Sequence, residues 1–326
     1  MAAVDLVGLW RGGLLESVHR GHAVVHDGRG VVEAWGDGRA VIFPRSSAKM
    51  IQALPLVESG AADGLPSGLL ALACASHAGA PMHTEPVARW LADLGLGEGD
   101  LRCGAHAPAD RGAAEALLRR DEAPAQVHNN CSGKHAGFLH LARHLRAGPE
   151  YVEIDHPVQA AARAAFEEET GEASPGWGVD GCSAPNFATT VEGLARAMAA
   201  FAGEGGGARG AARVRLREAM MAHPALVAGE GRACTELMRA CGGRAAIKEG
   251  AEGVYVAILP ARDGARALGV ALKVVDGAMR AAEATMAALL VRLGALDAGH
   301  PVAERLTGGP IRNWRGIETG RVRSLV

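Results

Sequence analysis

The 326-residue sequence has little charge imbalance and no long apolar run, and both absences exclude classes of partner. Its 34 Lys and Arg against 36 Asp and Glu give a formal net charge of −2, so no positive excess favours nucleic acid or an anionic membrane. No stretch reaches the roughly 18 apolar residues that a membrane-spanning helix needs. The first residues also lack the basic flank and apolar run of a secretion signal, so we expect a cytoplasmic protein.

Cysteine is scarce, and its spacing excludes the common short metal motifs. The sequence has six cysteines and no C-x-x-C pair, which excludes a zinc finger. An even number of cysteines does not imply disulfides in a reducing compartment. The G-x-x-x-x-G-K-[ST] pattern is also absent, so a phosphate-binding P-loop is excluded. Metal binding by cysteines that are distant in sequence, or simple burial, are the interpretations that remain.

Apolar patterning separates strands at the two ends of the chain from helices between them. Short runs divided by turn signals predict strands over residues 4–43, namely VDLVGLW, LLESVHRG, HAVVHD, GVVEAW and AVIF. Two stronger strands, VYVAILP and ALGVALKVVD, flank a predicted turn at residues 261–266. Helical spacing dominates between about residues 47 and 240, including a helix over 188–203, and predicts another helix over about 277–294.

This order of elements predicts an α+β protein. The alternation of strands and helices typical of a Rossmann domain is absent. We expect the two terminal parts to form one sheet, and the middle of the chain to form an inserted helical lobe. The predicted sheet lobe covers about residues 1–46 and 245–326, the helical lobe about 47–244, and the tail after residue 310 is predicted as a strand with a loose end.

A serine and a lysine stand three residues apart in FPRSSAKMIQALP, residues 43–55, which otherwise has the pattern of a buried helix. The spacing places Ser46 and Lys49 on one helix face, about one turn apart. A serine hydroxyl becomes a nucleophile when a neighbouring base takes its proton. Lysine is such a base when burial and the positive end of a helix lower its pKa. Alternatively Ser46 caps the helix and Lys49 reaches solvent, and the adjacent Ser47 leaves the identity of a nucleophile open.

Two further segments add a serine and a lysine in the same chain order. ALACASHAG, residues 71–79, sets Ser76 and His77 among small residues that would let the backbone approach a ligand. IKEGAEGVYV, residues 247–256, sets Lys248 before a glycine and a strong strand, as in the K-T-G element of penicillin-recognising serine enzymes. The plain alternatives are a helix end that continues into a loop and an ordinary solvated lysine.

The most unusual segment, QVHNNCSGKHAGFL at residues 126–139, concentrates sulfur, nitrogen and amide side chains in a few positions. It contains Cys131, and a second cysteine, Cys182, follows in GVDGCSAPNF together with Asp180. Two thiolates with a nitrogen or carboxylate donor could bind Zn²⁺. The alternative is a pair of buried free cysteines, which are common in proteins.

Taken together, these segments resemble the Rhizobium etli-type L-asparaginases, the asparaginase II family. The resemblance runs in family order from about Arg20 to Asp276 and is carried by FPRSSAKMIQALP, HNNCSGKHAGFL, VDGCSAP, HPALVAGEGRACTELM and KEGAEGVY. It implies hydrolysis of L-asparagine to L-aspartate and ammonia. It also implies a fold similar to serine β-lactamases and glutaminases, a single domain over residues 1–326, and a homodimer.

The resemblance further implies roles for individual residues. Two serine–lysine tandems fall on Ser46 with Lys49 and on Ser76 with Lys248. The zinc site of the family falls on two cysteines and an unusual lysine ligand, Cys131, Lys134 and Cys182. We expect the substrate-binding residues to be Arg45, His77, Asn130, His135, Asp180, Arg232 and Cys234.

Other functions fit parts of the same pattern. A glutaminase or a β-lactam-recognising enzyme would share the S-x-x-K element, although the sequence lacks S-x-N and K-T-G. Glutamine is one methylene longer than asparagine, which a pocket distinguishes by only about 1–3 kcal/mol. A non-catalytic protein that binds zinc or an amino acid is a different class. The two tandems argue against it, because a pure binder has no use for buried lysines paired with serines.

Overall fold

The computed structural model describes residues 2–262 and 264–326, so Asp263 in the predicted turn at 261–266 lies outside the described residues. The strands are β1 Val4–Arg11, β2 Leu14–His26, β3 Val31–Trp35, β4 Val41–Ile42, β5 Trp177–Val179, β6 Pro185–Phe187, β7 Thr189–Thr190, β8 Ala246–Gly250, β9 Val254–Leu259, β10 Leu268–Val274, β11 Pro310–Arg312 and β12 Glu318–Ser324. The helices are α1 Lys49–Gln52, α2 Leu54–Glu58, α3 Ser67–Ala73, α4 Pro81–Asp93, α5 Arg111–Arg119, α6 Ser132–His144, α7 Pro157–Thr170, α8 Val191–Ala202, α9 Gly207–Ala222, α10 Pro224–Val227, α11 Ala233–Ala240, α12 Met279–Arg292 and α13 Pro301–Gly308. None of these helices is long and apolar enough to cross a membrane.

The chain divides into two compact units. Unit 1 consists of Met1–Ser47, Thr189–Gly203 and Glu236–Val326. Unit 2 consists of Ala48–Ala188 and Glu204–Thr235.

Unit 1 is built on an antiparallel sheet that contains strands from both ends of the chain. Its strand order is β11-β12-β1-β2-β10-β9-β8, with β3 also paired to β2. The long strand β2 bridges the sheet, because its first half pairs with β1 and its second half pairs with β10. The α+β class, with one sheet built from both terminal parts, is confirmed.

Two helices cover the sheet of unit 1. Both α8 and α12 pack on β9 and β10, and every residue of β9 is buried. Helix α8 begins after Thr190, whose Oγ1 accepts a hydrogen bond from the backbone N–H of Gly193. It approaches β10 closely at Gly269, where a Cβ atom would lie 2.1 Å from the backbone nitrogen of Ala199. Glycine is therefore required on this strand for the helix to pack.

Helix α8 and the tail each differ from their predictions. We expected the segment 188–203 to lie in the helical lobe, but α8 belongs to unit 1 because its apolar faces pack on β10 and β2. The tail was predicted as a strand with a loose end, but β11 and β12 form a hairpin that pairs with β1. The pairing of β12 gives β1 a second neighbour in the sheet, which satisfies backbone groups that an edge strand would leave open.

Unit 2 is a cluster of helices arranged around α6. The first eight residues of α6 are all buried, which is typical of a helix enclosed on every side. Helix α3 packs against it at Gly133, where a Cβ atom would lie only 2.3 Å from the carbonyl oxygen of Leu72. This close approach places the next residues of α6, Lys134 and His135, in the core of unit 2.

A buried carboxylate ties α7 to α9 in the same unit. The side chain of Glu169 is 0% exposed, and Arg213 binds it with an N–O distance of 2.7 Å. Arg209 binds the same carboxylate at 3.2 Å and also pairs with Glu58 of α2 and with Glu168. These ion pairs link α7 to α9, and Arg209 also links both helices to α2.

Candidate active site

The predicted site residues are distributed over both units. Unit 1 contains Arg45, Ser46 and Lys248, and the other predicted residues lie in unit 2. The boundary falls between Ser47 and Ala48, inside a 3-10 turn of residues Arg45–Ala48 that leads directly into α1. Ser46, in this turn, and Lys49, the first residue of α1, which form the first predicted tandem, therefore lie on one continuous segment of chain.

The conformation of this turn distinguishes its two serines. Arg45 has a φ of 54°, a left-handed conformation that costs a non-glycine residue about 1–3 kcal/mol and is common at functional sites. The hydroxyl of Ser47 is buried and donates to the carbonyl oxygen of Pro44 at 2.7 Å. Ser46 is partly exposed. The hydroxyl of Ser47 thus stabilises the turn, and Ser46 is the better placed of the two to reach a substrate.

The amine of Lys49 contacts the serine of the second tandem. Lys49 is 1% exposed, and its Nζ donates to Ser76 Oγ at 3.0 Å and to the carbonyl oxygen of Ala75. The backbone N–H of Ser76 donates to the carbonyl oxygen of Val227, which fixes the loop after α3. A buried amine next to a hydroxyl is the arrangement that proton transfer between them requires.

The imidazole of His77 is held in one neutral tautomer. Ser132 Oγ donates to the carbonyl oxygen of Val127 at 2.9 Å, so it accepts from His77 Nε2, which lies 2.9 Å away. The backbone N–H of Gly79 donates to His77 Nδ1. Burial lowers the pKa of His77 well below its usual range, and the ring stacks on that of His83 with centroids 4.9 Å apart. His77 is therefore a neutral, oriented ring.

Two cysteines and a lysine meet in the core of unit 2. Lys134 Nζ donates to Cys182 Sγ at 2.9 Å and lies 5.4 Å from the ring centroid of Phe138. Interactions with Cys131 and with the Lys134 charge hold the pKa of the Cys182 thiol well below its usual range. Burial alone would lower the pKa of Lys134, but the Cys182 thiolate raises it above its usual range. Each of these two groups thus favours the charged form of the other.

The chemistry of this donor set fits a thiophilic metal with lysine as the third donor. Zinc accepts sulfur and nitrogen ligands, the amine of Lys134 contacts the sulfur of Cys182, and the thiol of Cys131 interacts electrostatically with both groups. Within residues 2–262 and 264–326, no group of three His, Cys, Asp or Glu side chains could hold a metal ion. A metal site at this place therefore depends on the nitrogen of Lys134.

A tight turn presents Cys182 to this cluster. The backbone N–H of Asp180 donates to the carbonyl oxygen of Ala184, and that of Ser183 donates to the carbonyl oxygen of Asp180. Ser183 has a left-handed φ of 69°. On the facing segment, Asn130 accepts a hydrogen bond from Cys131 Sγ through its Oδ1. These local bonds fix the positions of both sulfur atoms.

The remaining predicted residues lie at the start of α11. Arg232 immediately precedes this helix, and Cys234 is its second residue. Cys234 is fully buried. The loop before them is anchored by Thr235, whose Oγ1 donates to the carbonyl oxygen of Gly229 at 2.6 Å.

Sequence reasoning missed a tyrosine that contacts His135, the residue after Lys134 on α6. The hydroxyl of Tyr151 lies 2.8 Å from His135 Nδ1 and accepts the backbone N–H of Arg102 at 2.7 Å. Burial lowers the pKa of His135 to about 4. No motif marks Tyr151 in the sequence, because its contact to His135 joins residues sixteen positions apart. Its one sequence signal is rarity, since the chain has two tyrosines.

Comparisons with solved structures give distant similarities. Mglu in its native form matches with 14% identity and a TM-score of 0.48, over 86% of this chain and 66% of that chain. Mglu in its tris and glutamate form matches with 15% identity and a TM-score of 0.47, over 91% and 65%. The covalent complex of the Bacillus subtilis glutaminase YbgJ with 5-oxo-L-norleucine matches with 13% identity and a TM-score of 0.35, over 83% and 88%. The chain thus spans about two thirds of the length of the two Mglu chains.

The comparison with protein families is more informative. No curated protein matches the sequence significantly. The family model described as L-asparaginase II matches residues 7–324, which is nearly the whole chain. The chain therefore belongs to the L-asparaginase II family, a family of amidohydrolases.

Proposed function

We propose that this chain is an L-asparaginase, which hydrolyses L-asparagine to L-aspartate and ammonia. Beyond family membership, the proposal depends on one observation, the contact of 3.0 Å between the buried amine of Lys49 and the hydroxyl of Ser76. A buried amine costs free energy unless it is paired or neutral. Lys49 follows Ser46 by three residues, at the start of α1, where its amine could act as the base for the Ser46 hydroxyl.

In the proposed reaction, Ser46 Oγ attacks the side-chain amide carbon of asparagine while a neutral Lys49 amine accepts the hydroxyl proton. The carbon–nitrogen bond then breaks, and the departing nitrogen takes up a proton and leaves as ammonia. The Ser76 and Lys248 pair relays this proton or orients the first tandem. A water molecule attacks the resulting ester and returns a proton to Ser46 Oγ, which releases L-aspartate.

The family resemblance gives the positions of the proposed substrate contacts, and residue type suggests the roles of two of them. Arg45 would pair with the α-carboxylate of the substrate, because a guanidinium binds a carboxylate with two parallel hydrogen bonds. Asp180 would receive the α-ammonium group. The other predicted contacts are His77, Asn130, His135, Arg232 and Cys234.

We also propose that Cys131, Lys134 and Cys182 bind Zn²⁺. A lysine that binds a metal must be neutral, so the bound ion would hold Lys134 deprotonated. When bound, the ion would supply a fixed positive charge that orients the substrate or stabilises the fold. A homodimer, as the resemblance implies, completes the proposal and is checked by sedimentation.

The first experiment measures ammonia release from L-asparagine and from L-glutamine, using purified protein with and without a chelator. We expect release from asparagine and a lower kcat/KM for glutamine, by about 10–200-fold for one methylene. Loss of activity with the chelator would support a role of the metal in turnover. Folded protein that contains zinc but releases ammonia from neither substrate would contradict the enzyme proposal and favour a binding protein.

The zinc proposal is tested by Cys131→Ser. The variant loses a thiolate ligand, so we expect its zinc content after purification to fall from about one ion per chain to background. Elemental analysis makes the measurement. The matched control is Cys241→Ser, which replaces a fully buried cysteine of unit 1 and should keep the wild-type content. Equal zinc content in Cys131→Ser and Cys241→Ser would contradict the assignment of Cys131 as a zinc ligand.

A further inference from the structure

Both ring nitrogens of His77 are already hydrogen-bonded, which leaves the ring no polar atom for a substrate. Nε2 donates to Ser132 Oγ at 2.9 Å, since the hydroxyl proton of Ser132 goes to the carbonyl oxygen of Val127. Nδ1 accepts the backbone N–H of Gly79 at 3.2 Å. A neutral imidazole offers one donor and one acceptor, and here both are used. His77 is also only 2% exposed, so its ring is poorly placed to contact a bound amino acid.

The bonds of His77 fix its position relative to the start of α6. Its backbone N–H donates to the carbonyl oxygen of Asn130 at 3.1 Å, and its ring donates to Ser132, the first residue of α6. The loop between α3 and α4 is therefore attached to the segment 130–132 through both main chain and side chain. Ser76 directly precedes His77, so the same two bonds restrict the position of Ser76.

A second histidine, His83 of α4, covers one face of the His77 ring. The two rings are parallel to within 7°, and their centroids lie 4.9 Å apart. His83 is fully buried, and its Nε2 donates to the carbonyl oxygen of Ala225 in α10 at 2.9 Å. Two residues later, at the end of α10, the carbonyl oxygen of Val227 accepts the backbone N–H of Ser76. Helix α10 thus anchors Ser76 directly and the His77 ring through His83.

We propose that His77 is a positioning residue, which fixes Ser76 where its hydroxyl meets the amine of Lys49. That contact of 3.0 Å joins a residue of α1 to one in the loop after α3, so it depends on how the loop is anchored. His77 provides two of the anchoring bonds, and the backbone of Ser76 provides a third through Val227. This role differs from the substrate contact that the resemblance implies, and its effect on catalysis rests on the proposed function.

The geometry is tested by crystal structures of His77→Gln and His77→Ala without substrate. The glutamine amide retains an N–H donor for Ser132 Oγ, so we expect the distance from Lys49 Nζ to Ser76 Oγ to stay near 3.0 Å. In His77→Ala this contact should break, with a distance above about 3.5 Å. Ser132→Ala removes only the acceptor and should lengthen the same distance, which keeps the test available if His77→Ala fails to fold. An unchanged distance in the alanine variants would overturn the proposal.

Ammonia release from L-asparagine separates a positioning role from a substrate contact. We expect His77→Ala to lower kcat by about 10²-fold, the cost of a misplacement of about 1 Å. KM should stay near its wild-type value, because the interactions that bind the substrate remain. His77→Gln should recover most of the lost kcat. A raised KM with wild-type kcat in His77→Ala would overturn the proposal and support a substrate contact, and a His77→Gln variant no more active than His77→Ala would also overturn it.

The matched control is His26→Ala in unit 1. His26 is buried like His77, and its Nδ1 accepts the backbone N–H of Gly28, two residues along the chain, as Nδ1 of His77 accepts that of Gly79. Loss of this local bond should leave kcat at the wild-type value, and an equal loss of kcat in both alanine variants would overturn the positioning role. If the wild type released ammonia from neither asparagine nor glutamine, the proposed function would fail, and the distances in the crystal structures would still decide the role of His77.

Discussion

Ser46→Ala is expected to lower kcat for L-asparagine by at least about 10³-fold, and by up to about 10⁶-fold, the loss seen when a serine nucleophile is removed. The variant lacks the oxygen that would form the acyl-enzyme. It keeps the backbone of the Arg45–Ala48 turn and the buried Lys49, so substrate affinity should change little. Ammonia release under saturating asparagine measures the effect.

The matched control is Ser47→Ala at the adjacent position. Its hydroxyl is buried and donates to the carbonyl oxygen of Pro44, so we expect a loss of about 0.5–1.5 kcal/mol of stability and near wild-type turnover. If Ser47→Ala were inactive and Ser46→Ala active, the nucleophile would be Ser47. Wild-type kcat in both variants would show that the nucleophile lies outside this turn, and Ser76 would be the next candidate.

Glu169→Ala is expected to lower the free energy of unfolding by about 1–3 kcal/mol, because it removes the buried carboxylate to which the partly buried guanidinium of Arg213 is bound. The side chain of Glu169 is 0% exposed and binds both Arg209 and Arg213. Alanine would remove the anion that these guanidinium groups share. Denaturant unfolding followed by circular dichroism makes the measurement.

Glu168→Ala provides the control, one position away on the same helix. Glu168 also binds Arg209, at 3.1 Å, but its side chain is 63% exposed. Exposed ion pairs contribute about 0–1 kcal/mol, so its loss should be small. Similar destabilisation by the two variants would show that burial of Glu169 does not set the strength of the network.

The broad architecture could be predicted because its signals are local. Alternating apolar runs and helical spacing predicted an α+β chain with strands at both ends, and the sheet confirms it. The expected break between LLESVHRG and HAVVHD was wrong, since both belong to β2. At this point Gly21 stands against β10, where a Cβ atom would lie 2.2 Å from the carbonyl oxygen of Lys273. Gly21 therefore permits close packing within one strand and does not end it.

The missed features share a different cause, which is that they join distant parts of the chain. Nothing in the sequence of α8 indicates that its partner is β10 rather than another helix. The family pattern pairs Lys49 with Ser46, but its amine also donates to Ser76. The bond between Tyr151 and His135 depends on side-chain orientation, which periodicity does not specify. The site residues are predicted by long motifs, whereas the neighbours that contact them carry no motif.

The pairing of β1 with β12 sets an order of events during translation. Val7 of β1 lies opposite Ser324 of β12. After synthesising β1, the ribosome must therefore synthesise nearly the whole chain before β12 emerges. At about 5–20 residues per second this interval is on the order of tens of seconds. The Ala48–Ala188 part of unit 2 leaves the ribosome within that interval. Until β12 and β10 appear, β1 and β2 each present an unpaired strand edge, the kind of surface that chaperones shield.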